Sequence, residues 1–214
     1  MRLLLATGNQ GKVRELRALL AGLSLELMSA AEAGVAYAAE ETGETFAENA
    51  VIKAEALCRA AGLPAVADDS GLEVEALGGR PGVRSARFAG EGATDAANNA
   101  KLLTLMEAVP NGRRGGRFVS AVALAWPGRS TRVAEGVCHG IVGRAPRGNG
   151  GFGYDPLFVC QDPDPEAEAA GANGLTYAEM SDEQKNRISH RARAMRALRE
   201  MLESDLSGTG PGPR

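Results

Sequence analysis

Two adjacent carboxylates are the first residues in this chain whose types suggest chemistry. Asp68-Asp69 follow the apolar run Ala65-Val66-Ala67 and precede Ser70-Gly71. A charged pair there packs poorly, and open α/β sheets place their sites at the carboxyl ends of strands. Brought together with an acidic residue from another segment, such a pair can hold a hard divalent cation through oxygen. Glu40-Glu41 is the candidate second segment, although alone it reads as a solvated surface pair. Magnesium held this way keeps waters and bridges phosphates.

Thr7-Gly8-Asn9-Gln10-Gly11-Lys12 is a candidate for those phosphates. It lies where a strand gives way to a helix, so backbone N–H groups are unsatisfied and the helix dipole favours an anion. Lys12 adds a full charge. The segment lacks the G-x-x-x-x-G-K-[ST] pattern of a P-loop. A plain helix start with an exposed lysine explains the spacing equally well.

Gly150-Gly151-Phe152-Gly153-Tyr154-Asp155 combines glycines that let a backbone approach a ligand with two aromatic faces that could stack on a base. A tight turn with both rings in the core is the competing reading. A fourth group is Lys185 with Ser189-His190-Arg191. His190 has polar neighbours and is expected outside the core. In one continuous helix, Lys185 and His190 would point about 140° apart. A break near residues 187–189, with Ser189 capping a second helix, would let both reach one ligand.

The elements that must position these residues follow from periodicity. Residues 3–6 read as a buried strand, and Val13, Leu16, Leu19 and Leu20 repeat at helical spacing. Thr45 with Glu48 fits a capping box for a helix that buries Phe46, Ala50, Ala54 and Leu57. Residues 65–67 form a second short strand. Thr94 can cap a helix carrying Leu102, Leu103 and Met106 on its inner side. Residues 117–126 and 131–139 flank Pro127-Gly128 and predict a hairpin. Residues 157–159 are strand-like, and residues 161–174, polar and small, are expected to be a loop. Ile188, Ala192, Met195, Leu198 and Leu202 make one apolar helical stripe. The fold class is α/β.

The 214 residues suit one domain, or two lobes around one cleft. A net charge of −3, without a basic stripe, argues against a nucleic-acid partner, so an anionic ligand must be met by local charge or a metal. Cys58, Cys138 and Cys160 are too widely spaced for a zinc or disulfide framework, which points to a reducing cytoplasm. No apolar stretch approaches the roughly 20 residues needed to span a membrane. The Gly- and Pro-rich tail, residues 207–214, is expected to be disordered, leaving residues 1–206 as the domain.

Taken in order, TGNQGK at 7–12, EETGETFAENAVIKA at 40–54, ADDSGLEVEALGGRPGVRSARFAG at 67–90, GGFGYDPLF at 150–158 and SDEQKNRISHR at 181–191 resemble one family. It is that of the non-canonical purine nucleoside triphosphate pyrophosphatases, also called inosine/xanthosine triphosphate pyrophosphatases. The resemblance runs from residue 3 to about 203. It implies a two-lobed α/β fold with a long mixed sheet, flanking helices and a central substrate cleft, and it implies a homodimer. The implied reaction cuts the α–β phosphoanhydride of ITP, dITP or XTP, giving the monophosphate and pyrophosphate. The implied roles go to residues that match the motifs. Thr7, Gly8, Asn9, Gln10, Gly11 and Lys12 would hold the triphosphate. Asp69 would be the general base, or the metal-linked residue that activates the attacking water, and would share Mg²⁺ with Glu40, supported by Asp68, with Glu41 the other possible ligand. Ser70 would touch the substrate. Phe152, Gly153, Tyr154, Asp155, Lys185, His190 and Arg191 would hold the nucleoside. One departure is visible: Gly174-Leu175-Thr176 stands where the family often has Gly-Lys-Thr, so a positive charge is missing there.

Overall fold

The computed structural model describes residues 1–8 and 10–206, excepting the side chains of Gln10, Glu15, Leu19 and Leu206. Asn9, the Leu19 side chain and the tail at 207–214 lie outside the described residues. The chain opens as its periodicity predicts, with a buried strand β1 (Arg2–Leu5) and then helix α1 (Gln10–Leu19). β1 pairs in parallel with β2 (Glu26–Ser29) and with β3 (Ala65–Val74). Two further long strands, β4 (Gly115–Ala125) and β5 (Arg132–Val142), are neighbours in the sheet, as the hairpin reading requires. β6 (Phe158–Cys160) closes it antiparallel to β5. The result is one mixed sheet of six strands in the order β2-β1-β3-β4-β5-β6.

Helices follow the local signals. Helix α2 (Phe46–Ala61) begins with the expected capping box: Glu48 N–H donates to Thr45 Oγ1, and the Glu48 carboxylate accepts from Thr45 N–H. It ends where Gly62 takes a left-handed φ of 64° and returns its N–H to Cys58 O. Thr94 caps helix α3 (Asp95–Met106) through Ala97 N–H. Replacing Thr45 by alanine removes the side-chain half of the box and is expected to cost about 1 kcal/mol, read from the midpoint of denaturant unfolding.

Two expectations are corrected. Residues 161–174 contain a short helix, α4 (Pro165–Ala169), started by Asp164 as N-cap and Pro165 in the first turn. β3 does not stop at Ala67; it continues through Asp68-Asp69 to Val74, so the aspartates lie within a strand of 10 residues.

The described residues divide into two compact units, one of 1–69, 120–136 and 193–206, the other of 70–119 and 137–192. In the first, Leu3, Leu5 and Val66 of the sheet pack with Val13, Leu16 and Leu20, and with Met195, Leu198 and Leu202. That last set carries most of the predicted terminal stripe, on helix α6 (His190–Leu206). In the second, Leu72, Phe118, Phe158 and Tyr177 are joined by Leu102 and Met106 of α3 and by Ile188 of helix α5 (Asp182–Ile188). Arg114 is buried in this unit without a carboxylate: its guanidinium donates to the carbonyls of Met106, Val109, Val142 and Gly143.

Candidate active site

The first unit concentrates charge around β3. Ala65, Val66 and Ala67 are fully packed, and the strand then delivers Asp68 and Asp69 with almost no exposure. Successive strand residues face opposite sides, and the two carboxylates accordingly meet different lysines. Lys12, in the first turn of α1, places Nζ 2.9 Å from Asp68 Oδ2. Lys53, on α2, donates to Asp69 Oδ1 at 2.8 Å and to Glu41 Oε1 at 3.0 Å.

These partners explain how charged residues continue a buried strand. A carboxylate moved out of water without compensation is costly; one that meets an ammonium group is tolerated. Compensation at Asp69 is incomplete. Burial pushes its pKa up, against the opposing pull of Lys53 and Lys12 and with a push from Glu41. Burial works against the Lys53 ammonium too, but Asp69, Glu41 and Asp68 together raise its pKa.

Oxygen donors of this kind suit a hard cation. Asp69 Oδ2 is buried and has no hydrogen-bond partner, while Oδ1 is held by Lys53. The carboxylate therefore offers one oriented oxygen. Of the two glutamates, Glu41 is half-buried on Lys53 and Glu40 is exposed in the same loop. Among the described residues, no group of three or more His, Cys, Asp or Glu forms a complete metal cage. An ion here must complete its shell with water and substrate oxygens, as magnesium commonly does.

In the 7–12 segment, Thr7 is half-buried, Gly8 is exposed with open space around its Cα, and α1 begins at Gln10. The structure thus puts Lys12, in the first turn of α1, beside Asp68. Asn9 and the Gln10 side chain lie outside the described residues.

The second unit gathers the remaining candidates. The helix break occurs as predicted: α5 ends at Ile188, Ser189 is extended at φ −65° and ψ 155°, and its Oγ accepts from Ala192 N–H in α6. Lys185 donates to Asp155 Oδ2 at 2.7 Å, and the same oxygen accepts Phe152 N–H at 3.0 Å. The half-buried Phe152 ring has Lys185 Nζ 5.2 Å and Arg191 Cζ 5.5 Å from its centroid. Arg191 Nη2 donates to Ser70 Oγ at 3.0 Å. Lys185, Arg191, Phe152, Asp155 and Ser70 are thereby linked within one unit.

Two side chains differ from expectation. His190 is buried, its ring stacked 4.7 Å from Phe118 and 6.0 Å from Tyr177. Polar neighbours in sequence did not keep it outside the core, because an aromatic stack supplies its contacts. Tyr154 offers no open face for a base: its ring belongs to the core, and its hydroxyl donates to Ser85 O. The departure at Leu175 is absorbed locally, since that side chain packs against the core of the unit.

Sequence reasoning assigned no role to Lys53, although a signal was present. In α2 the inner stripe runs Phe46, Ala50, Ala54, Leu57, and position 53 falls on that same face. A lysine where packing calls for an apolar residue is a charge with a buried partner.

The Ham1 family model matches residues 3–201. A dITP/XTP pyrophosphatase of Geobacillus kaustophilus is 51% identical over 208 residues, covering 97% of this chain and 97% of that protein. One of Thermus thermophilus is 49% identical over 214 residues, covering 100% and 95% respectively. Among solved structures, the Ham1 protein of Staphylococcus aureus superposes with a TM-score of 0.82 at 36% identity, covering 96% of this chain and 100% of that one.

Proposed function

The chain belongs to the Ham1 family, and from that premise we propose that it is a magnesium-dependent pyrophosphatase of dITP, XTP and ITP. It releases the nucleoside monophosphate and pyrophosphate, and so clears these purine nucleotides before a polymerase can use them. One observation carries the chemistry: a buried Asp69 whose Oδ1 is fixed by Lys53 and whose Oδ2 has no protein partner.

In this reading both units, residues 1–206, act as one catalytic domain. Lys12 and the first turn of α1 bind the triphosphate, helped by Thr7, Gly8, Asn9, Gln10 and Gly11. Asp69 and one of the Glu40-Glu41 pair hold Mg²⁺, with Glu41 favoured by its position on Lys53. When bound, the ion neutralises phosphate charge and stabilises the leaving pyrophosphate. Asp69 orients the attacking water and takes its proton. In the metal-free protein burial holds its carboxyl above the ordinary aspartate range.

Base selection falls to the second unit. Lys185 and Arg191 only donate hydrogen bonds, and His190 can donate. Hypoxanthine and xanthine present an oxygen at position 6, whereas adenine presents an amino donor. A donor set therefore accepts the first two and leaves adenine mismatched, which can discriminate by roughly 10⁴. Phe152 supplies an apolar face, Asp155 keeps Lys185 in place, Gly153 and Tyr154 complete the loop, and Ser70 anchors Arg191.

The resemblance supports a homodimer, the widely spaced cysteines support a reducing cytoplasm, and a net charge of −3 without a basic stripe speaks against a nucleic-acid partner. The three cysteines are free thiols, the state a reducing compartment maintains. Among the described residues, no helix is long and apolar enough to cross a membrane.

Pyrophosphate release from ITP, XTP, dITP, ATP and GTP, with Mg²⁺ and with EDTA, tests the proposal. Release from the first three, at least roughly a hundredfold above ATP and abolished by EDTA, is the expected result. Turnover of ATP as fast as ITP would keep the chemistry and discard the donor argument, whereas turnover of GTP, which shares the 6-oxygen, would leave that argument standing. Binding without any turnover would favour a regulatory nucleotide binder.

A further inference from the structure

We infer that Asp95 and Asn99 are positioning residues for the nucleoside loop, acting on the peptide groups of Gly153; the inference rests on the function proposed above. Both lie on α3, four residues apart and hence on one helix face. The Asp95 carboxylate accepts Gly153 N–H at 2.7 Å, and Asn99 Nδ2 donates to Gly153 O at 2.9 Å. One glycine is thus gripped at both its donor and its acceptor by a rigid helix distant in sequence.

The grip has a physical purpose at this position. Gly153 has φ +61°, a conformation most residues avoid, and it lies between Phe152 and Asp155. Phe152 N–H is tied to Asp155 and the Tyr154 hydroxyl to Ser85 O. Without the bonds from α3, Gly153 would be the free joint of the loop.

Asn99 holds its bond at a cost. Its Oδ1 is buried with no hydrogen-bond partner, an arrangement that penalises stability. An amide kept under that penalty is best explained by what its Nδ2 holds. Asp95 is suited to its part because the first turn of a helix favours a carboxylate. Neighbouring Asn98 makes the same kind of clamp on another segment, accepting Ala89 N–H and donating to Ala86 O. Helix α3 therefore serves as a ruler for two loops.

The role predicts a kinetic split. Asp95→Ala and Asn99→Ala loosen Phe152 and Asp155 but leave the phosphate-handling carboxylates unchanged. KM for dITP should rise roughly tenfold in each, with kcat within about twofold of wild type. Inorganic tripolyphosphate, which has no base, should inhibit all of them with an unchanged constant. Asp95→Asn keeps an acceptor for Gly153 N–H and should restore KM to within about twofold. Unchanged KM in both alanine variants would overturn the inference. So would a fall in kcat without a KM change, or weaker tripolyphosphate inhibition in parallel with KM. A wild-type protein that hydrolyses no purine nucleoside triphosphate would instead overturn the proposed function, and the inference with it.

Discussion

Replacing Asp69 by asparagine is expected to lower kcat for dITP and XTP by roughly 10³-fold or more while leaving the fold at least as stable. The two halves of that expectation have one cause. Asp69 is buried, and burial raises its pKa above the ordinary aspartate value. A carboxyl with a raised folded pKa favours the folded state at low pH. That advantage is lost as pH rises through the unfolded value towards the folded one, so near neutrality the charge is a burden on folding. Asparagine removes the burden and can still accept from Lys53 through its amide oxygen. It cannot take a proton from water or offer an anionic ligand to a cation. Thermal unfolding without metal and steady-state kinetics with Mg²⁺ measure the two halves separately. A variant that keeps more than about a tenth of wild-type kcat would remove Asp69 from the centre of the mechanism.

The second large effect belongs to Asp155. Its carboxylate and the Lys185 ammonium are 6% and 10% exposed, and they meet at 2.7 Å. Asp155→Ala removes the carboxylate that meets a buried cation and also frees Phe152 N–H. Breaking one side of such a pair costs about 3 kcal/mol in stability. kcat/KM for dITP should fall by roughly 10²-fold as Lys185 and Phe152 lose their setting. The double variant Asp155→Ala/Lys185→Met separates the two effects. Removing both charges should recover much of the stability, because no uncompensated ion remains. It should recover none of the activity, because Lys185 itself is gone. Recovery of activity in the double variant would show that the pair serves only the fold.

Much of this arrangement was legible in the sequence, and the reasons for the misses are physical. The opening strand and helix, the Thr45 and Thr94 caps and the paired strands around Pro127-Gly128 all rest on local signals, which survive without tertiary context. The break at Ser189 was legible through geometry, since a continuous helix would turn Lys185 and His190 apart. Two aspartates interrupt the apolar pattern after Ala67, which predicts that β3 ends there. The strand goes on because Lys12 and Lys53, far away in sequence, receive them. His190 departs from its sequence pattern for the same reason: its environment is made by Phe118 and Tyr177, not by Ser189 and Arg191. α4 was missed although Asp164-Pro165 is an ordinary helix start. β2 carries only four residues, none of them fully buried, and leaves little periodic trace.

The lysines beside β3 also bear on the order in which ligands arrive. Asp68, Asp69 and Glu41 stand against Lys12 and Lys53, so with all five ionised the cluster carries one surplus negative charge. In that state it repels a polyphosphate. A monovalent cation brings it only to neutrality, whereas a divalent one reverses its sign and turns repulsion into attraction. A nucleotide that arrives already carrying its metal brings less negative charge to the cluster and meets a lower barrier. On the proposed function, the free triphosphate is therefore a poorer visitor than its metal complex.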